Sequence, residues 1–316
     1  MEFRFIVRKT LIDLTEWKRI VILLAFALSI PLLFSVSWRS SLQTQNLPLE
    51  MQTYYVLGNF ISTSLLWILG FFLAFVVSLT AVGFIAKEDS DGTLLLLVSK
   101  PISRNQIVLG KFVGLLTYAT LLVAVILVFF TLLLWFILPI EMDTFVALLM
   151  TIPSLIAFSL LITLAFGALA LALSTVLKNQ IVMMAIMAIV IVFMFFFGLT
   201  THTLFPDAYQ NNQIYYVDMS YHLGNAFVPF MELATGGDLL PASELPYLQL
   251  FTGIYGGIGD YFGSYGGDNR LGQILLSYPG ELVHYVSPFV SIGIWLAIVA
   301  GALLIALRGM DRKNVH

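Results

Sequence analysis

The sequence predicts an all-α membrane protein with six transmembrane helices, an N-terminal amphipathic interfacial helix and an external cap between spans five and six. Three observations carry that reading. Hydrophobic residues make up 59% of the chain and charged residues only 10%, with a mean hydropathy of +0.96; such a surface suits lipid better than water. The apolar residues fall into six runs, at 20–37, 60–86, 112–138, 145–177, 181–205 and 287–307, none holding Asp, Glu, Lys or Arg. A span needs roughly 20 apolar residues to cross the hydrocarbon core at helical rise. The third observation is where the cations lie. Thirteen of the fifteen Lys and Arg (Arg4, Arg8, Lys9, Lys18, Arg19, Lys87, Lys100, Arg104, Lys111, Lys178, Arg308, Arg312 and Lys313) fall on one side, leaving Arg39 and Arg270 on the other. The positive-inside bias therefore puts both termini in the cytoplasm and requires an even number of spans. A plasma-membrane protein is expected.

Residues 1–19 read as a cytoplasmic elbow helix. Phe3, Val7, Leu11, Leu14 and Trp17 recur at helical spacing, with Glu2, Lys9, Asp13 and Glu16 opposite, the pattern of a helix lying in the headgroup region. A plain membrane anchor is the competing reading. The stretch does not resemble a cleaved signal peptide, since no small-residue cleavage site follows the first apolar run. Residues 20–205 hold spans one to five. Pro153 near the start of run four predicts a kink or the entry of the helix, and the small Gly167, Ala168, Ala170 and Ala172 suit close helix packing. Lys178 and Asn179 alone separate runs four and five, which predicts a tight turn.

The cytoplasmic segment 87–111 carries the most information. An acidic cluster (Glu88, Asp89, Asp91) closes the second helix, and Gly92 permits a sharp turn. Residues 94–98 are all apolar, far too few to span. Pro101 stops whatever helix they form, and Ser103 with Gln106 predicts a capping box that starts the third span. A short apolar helix between charged flanks suits docking in a groove of a soluble partner, with Leu94, Leu95, Leu97 and Val98 as anchors. It suits packing on its own bundle or the lipid interface equally well.

Several function classes are set aside by what the chain contains. It has no cysteine, which removes disulfides and thiolate chemistry. The spans hold no carboxylate and no histidine except His202 at the outer end of run five, so proton coupling through them is not expected. Paired catalytic groups of an intramembrane enzyme are missing too. No metal site is expected, because His202, His222 and His284 match no ligand spacing. Gly110–Lys111 is followed by Phe112 where a P-loop needs Ser or Thr, so any ATP must bind elsewhere.

Glu88, Gly92-Thr93-Leu94, Leu96-Leu97, Lys100-Pro101-Ile102-Ser103-Arg104, Ile107 and Gly110-Lys111 together resemble the signature of type-2 ABC-transporter permeases. The resemblance implies that 87–111 is a coupling segment engaging a separate ATPase subunit, with Glu88, Asp91, Gly92, Thr93, Leu94, Leu97, Lys100, Pro101, Arg104 and Lys178 at or near that contact. It implies ATP and Mg²⁺ in the partner ATPase, no cofactor in this chain, a second copy of the permease, surrounding lipid and no nucleic acid. It also implies export, with spans two and five along the path. Ser62, Thr63, Ser78 and Thr80 on the former and Phe196, Thr200 and Thr201 on the latter are the candidates, with Ser64 beside them, and Phe193, Phe195, Phe196 and Phe197 would form an apolar gate. An ion-gradient carrier or channel acting without an ATPase is the alternative.

The segment 206–286 is read as an extracytoplasmic cap, followed by the sixth span and cytoplasmic tail, 287–316. It has eight acidic residues against Arg270, a net charge of −7. Short helices dipping into the outer leaflet are expected. Its role is open between exit gate, contact with an outside partner and dimer contact.

Overall fold

The computed structural model describes residues 2–45, 49–90, 103–234, 252, 254 and 285–312. These are helical almost throughout. α1 (Glu2–Leu14) precedes span one, α2 (Trp17–Gln45). Span two runs through α3 (Leu49–Thr63), a π-helical segment (Ser64–Leu73) and α4 (Ala74–Ser90). Spans three and four are α5 (Arg104–Ile137) and α6 (Met142–Val176), and span five is α7 (Gln180–Leu204). After it come α8 (Pro206–Asn211), a 3₁₀ turn (Ile214–Tyr216) and α9 (Met219–Ala234), and span six is α10 (Pro288–Arg312). Six of these helices are long and apolar enough to cross a membrane. Most outrun the charge-free runs in the sequence, because a helix continues into the headgroup region where polar residues are tolerated.

Spans two and four form the centre. Their most apolar stretches are 67% and 72% buried, against 17% for span one. Close approach depends on small residues at the contacts. A Cβ on Gly167 would stand 3.2 Å from both Phe112 of span three and Val77 of span two. Ala168, Ala170 and Ala172 are buried beside it. Pro153 lies inside a continuous α6. In span one, Pro31 lacks the N–H that the carbonyl four residues earlier needs. Trp67 of span two supplies it, its Nε1 donating to the Ala27 carbonyl at 2.8 Å.

α1 is a helix seated on the bundle. Its buried stripe is Ile6, Thr10 and Leu14, and it packs on span three across Gly110 and Gly114. A Cβ at these glycines would come within 2.9 Å of Ile6 Cγ2 and 2.8 Å of Thr10 Cβ. Phe5 and Ile12 are left exposed. Trp17 belongs to span one rather than to α1, because the chain turns at Thr15 and Glu16.

α9 lies against the bundle, not above it. Phe227 meets Phe158 with ring centroids 4.9 Å apart, a point about 24 Å along α6 from Met142 at ~1.5 Å per residue. Residues 235–251, 253 and 255–284 lie outside the described residues.

Candidate functional site: the basic end of the bundle

The Lys/Arg-rich ends of the spans meet at one end of the bundle. Of the residues expected at the coupling contact, Asp91, Gly92, Thr93, Leu94, Leu97, Lys100 and Pro101 lie outside the described residues. Glu88 falls in the last turn of α4. The two helices that deliver and receive the segment are described, and both are tied to their neighbours.

On the incoming side, Ser174 of span four reaches the backbone of span two. Its Oγ donates to the Val82 carbonyl at 2.8 Å and accepts from the Ile85 and Ala86 N–H groups, both at 3.1 Å. Lys111, buried in span three, donates from Nζ to the Phe84 carbonyl at 2.6 Å and lies over the Phe84 ring at 5.5 Å. A buried ammonium that has lost its water needs such acceptors. On the outgoing side, the capping box is present: the Gln106 N–H donates to Ser103 Oγ at 3.3 Å and the Ser103 N–H to Gln106 Oε1 at 3.2 Å. Arg104 then donates from one guanidinium nitrogen to the Met310 and Asp311 carbonyls at 3.0 and 3.2 Å. A cation at the C-terminus of span six satisfies carbonyls that have no partner within the helix.

The tight turn between spans four and five is also present. Lys178 is exposed there, and Asn179 caps α7 by accepting from the Ile181 and Val182 N–H groups. Close by, Arg19 of span one donates to Thr80 Oγ1 of span two at 2.7 Å and lies over the Tyr118 ring of span three at 5.8 Å.

The candidates for a path are not brought together as one surface. Ser62, Thr63, Ser64 and Ser78 are buried within the bundle, their hydroxyls without a hydrogen-bond partner among the described residues. Thr200 and Thr201 of span five bond carbonyls of their own helix, those of Phe196 and Phe197 for the first and Phe197 and Gly198 for the second. Spans two and five meet instead at Gly70 and Phe71, where Phe195 stacks on Phe71 at 4.3 Å. Phe195 is therefore buried, while Phe193 and Phe196 are exposed. Ser174, Arg19 and the anchoring role of Lys111 escaped sequence reasoning. A cation at the mouth of an apolar run was the one signal available for the two basic residues, and Ser174 carried none.

At the opposite, acidic end, α8, the 3₁₀ turn, α9 and span six share a buried polar network. Asp218 caps α9: one carboxylate oxygen accepts from the Ser220 and Tyr221 N–H groups, and the other accepts from Tyr209 Oη at 2.9 Å. Burial still holds its carboxyl above the ordinary carboxylate value, against those hydrogen bonds and nearby His222. Desolvation also pushes the Tyr221 phenol up to about 12. His222 Nε2 lies 3.0 Å from the Tyr216 carbonyl. A carbonyl only accepts, so Nε2 carries a proton there, and Nδ1 lies 3.0 Å from Ser291 Oγ. Ser291 in turn accepts from Asn225, which also donates to the Val286 carbonyl. His222 is thus a structural histidine.

Six membrane-length helices, four of them set around the buried spans two and four, with interhelical polar ties at both ends, define a multi-pass membrane protein. The chain belongs to the ABC-2 transporter family: residues 6–300 match the family model described as ABC-2 family transporter protein. It is a membrane permease of an ABC transporter, a class of transport subunit that is generally non-catalytic. No curated protein matches the chain.

Proposed function

We propose that this chain is the membrane half of an ATP-driven exporter, working as two copies with a separate ATPase that binds ATP and Mg²⁺. In this reading segment 87–111 docks on the ATPase at the cytoplasmic face of the plasma membrane, and spans two and five border the path. The observation that carries it is the anchoring of both ends of that segment. Ser174 and Lys111 hold the end of span two, and Arg104 ties the start of span three to span six. A load applied between them is passed to four spans at once, as a coupling element requires.

The test is to purify the full chain with candidate soluble ATPases and measure ATP hydrolysis in proteoliposomes. Co-purification and hydrolysis stimulated by the chain are expected, with the stimulation reduced about tenfold or more by Glu88→Ala or Arg104→Ala. Transport by the chain alone under an ion gradient, with no ATPase bound, would overturn the proposal in favour of a carrier.

A further inference from the structure

Along span two, three bulky residues stand about one turn apart and reach the surface of the bundle: Phe71, Phe75 and Leu79. Each follows directly on a small residue, Gly70, Ala74 and Ser78, and these three are buried. The helix thus carries two stripes one residue apart, a bulky one facing out and a small one facing in.

The turn that decides which stripe faces out overlaps their upper end. From Ser64 to Leu73 the helix is π, a form that holds extra chain relative to an α-helix and recurs at functional sites. Its geometry depends on a glycine. A Cβ on Gly70 would stand 2.9 Å from the Leu65 carbonyl, five residues back across the wide turn, and 2.7 Å from Phe195 of span five. The Phe195 ring is wedged at this point and also stacks on Phe71 at 4.3 Å. Further along, the Ser78 hydroxyl is fully buried and has no hydrogen-bond partner among the described residues. A buried hydroxyl without a partner destabilises the arrangement that buries it. At the basic end, Ser174 serves the Val82 carbonyl and the Ile85 and Ala86 N–H groups, so backbone groups there keep a partner when a bond of the helix opens.

We propose that span two has a second register, reached when the wide turn migrates from residues 64–73 toward Val82. The residues it passes each advance by one place, a rotation of about 100°. Gly70, Ala74 and Ser78 then stand where Phe71, Phe75 and Leu79 stood. Phe71 falls into the place of Phe72 and Val76 into that of Val77, so at these two core positions like replaces like. Leu69 arrives at the place of Gly70, where no Cβ fits beside Phe195, and span five must release that ring. The bulky stripe leaves the surface, a small one replaces it, and the Ser78 hydroxyl comes out of the apolar core. The proposal rests on the reading that spans two and five border the path, and it makes the register of span two the gate of that path.

Carbene footprinting of the full chain in lipid nanodiscs tests it, because a small diazirine labels exposed side chains in lipid and water alike. In the wild-type chain Phe75 and Leu79 are expected to label, and Ala74 and Ser78 to be protected. Gly70→Ala disfavours the wide turn at its present place, and Phe195→Leu removes the wedge. Each is expected to raise labelling of Ala74 and Ser78 about tenfold relative to Phe75 and Leu79. Binding of the ATPase with a non-hydrolysable ATP analogue is expected to move the wild-type chain the same way. An unchanged ratio in both variants would overturn the proposal. So would a rise at all four positions together, since a loosened helix exposes both stripes and a rotated one exchanges them. An exchange in the variants that ATPase and nucleotide do not reproduce upholds the second register and counts against the coupling reading alone.

Discussion

Ser174→Ala removes one oxygen from a fully buried position and with it three contacts to the backbone of span two. Interhelical side-chain hydrogen bonds in membrane proteins average about 0.6 kcal/mol, so three come to about 2 kcal/mol. At ~1.4 kcal/mol per factor of ten, that is a change of about thirtyfold in local opening. Hydrogen–deuterium exchange of peptides covering 82–90 reads it directly, and amides 85 and 86 should exchange about thirtyfold faster. The control is Ser159→Ala on the same span, also buried. Its hydroxyl bonds only the Ile156 carbonyl of its own helix, so exchange in span two should stay unchanged. If both variants left residues 82–90 equally protected, the reasoning that Ser174 holds the end of span two would be refuted.

The remaining expectations are read mostly from thermal unfolding. Gly114→Val should lower stability by about 1–3 kcal/mol, since its Cβ would stand 2.8 Å from Thr10 Cβ. Gly301→Ala meets nothing within 4 Å and should be neutral or raise stability by up to ~1 kcal/mol; an equal loss in both would contradict the docking of α1. Ser64→Ala and Ser78→Ala delete buried hydroxyls with no partner among the described residues and should each stabilise by up to about 1 kcal/mol. A loss like that of Ser174→Ala would mean the hydroxyls are held after all. For Asp218, burial raises the folded-state pKa, so the folded protein binds this proton more tightly than the unfolded chain. Its contribution to stability is thus lost as pH rises from the ordinary carboxylate value through the raised one. The melting temperature of the wild-type chain relative to Asp218→Asn should therefore increase as pH is lowered through that window, and a flat or inverted difference would exclude the assignment.

Span number, the turn at Lys178–Asn179 and the start of span three at Ser103 were legible in the sequence, because hydropathy and capping are local. The packing of α1 was legible only in part. Its helical period is plain, but Ile6 and Thr10 are selected over Phe3 and Val7 by two glycines a hundred residues away. The polar ties at the basic end were not legible at all. Ser174 is one of many hydroxyls on apolar helices, and nothing local separates it from Ser159, whose hydroxyl bonds its own helix. The burial of Ser62, Thr63, Ser64 and Ser78 was not legible either, since they were named for their polarity and hydroxyls on an apolar helix carry no local sign of which way they face.

Those four residues show where span two is held and where it is not. At the acidic end, the hydroxyls of Thr53 and Thr144 join it to span four at 2.7 Å. At the basic end, Ser174 and Lys111 take hold of its backbone. Between the two grips, the buried Ser and Thr hydroxyls that lack a partner among the described residues belong to span two, whereas elsewhere in the bundle Ser35, Thr131 and Thr163 bond carbonyls one turn back. Three of the four hydroxyls stand at the opening of the π segment. There the backbone bonds are wider than in an α-helix, and the segment can revert by shifting a residue per turn. If segment 87–111 couples as proposed, a displacement entering at Ser90 would be absorbed between the grips, where the fewest side-chain bonds resist it. That place is the stretch from Ser62 to Leu73, at the level where Phe71 meets Phe195 of span five.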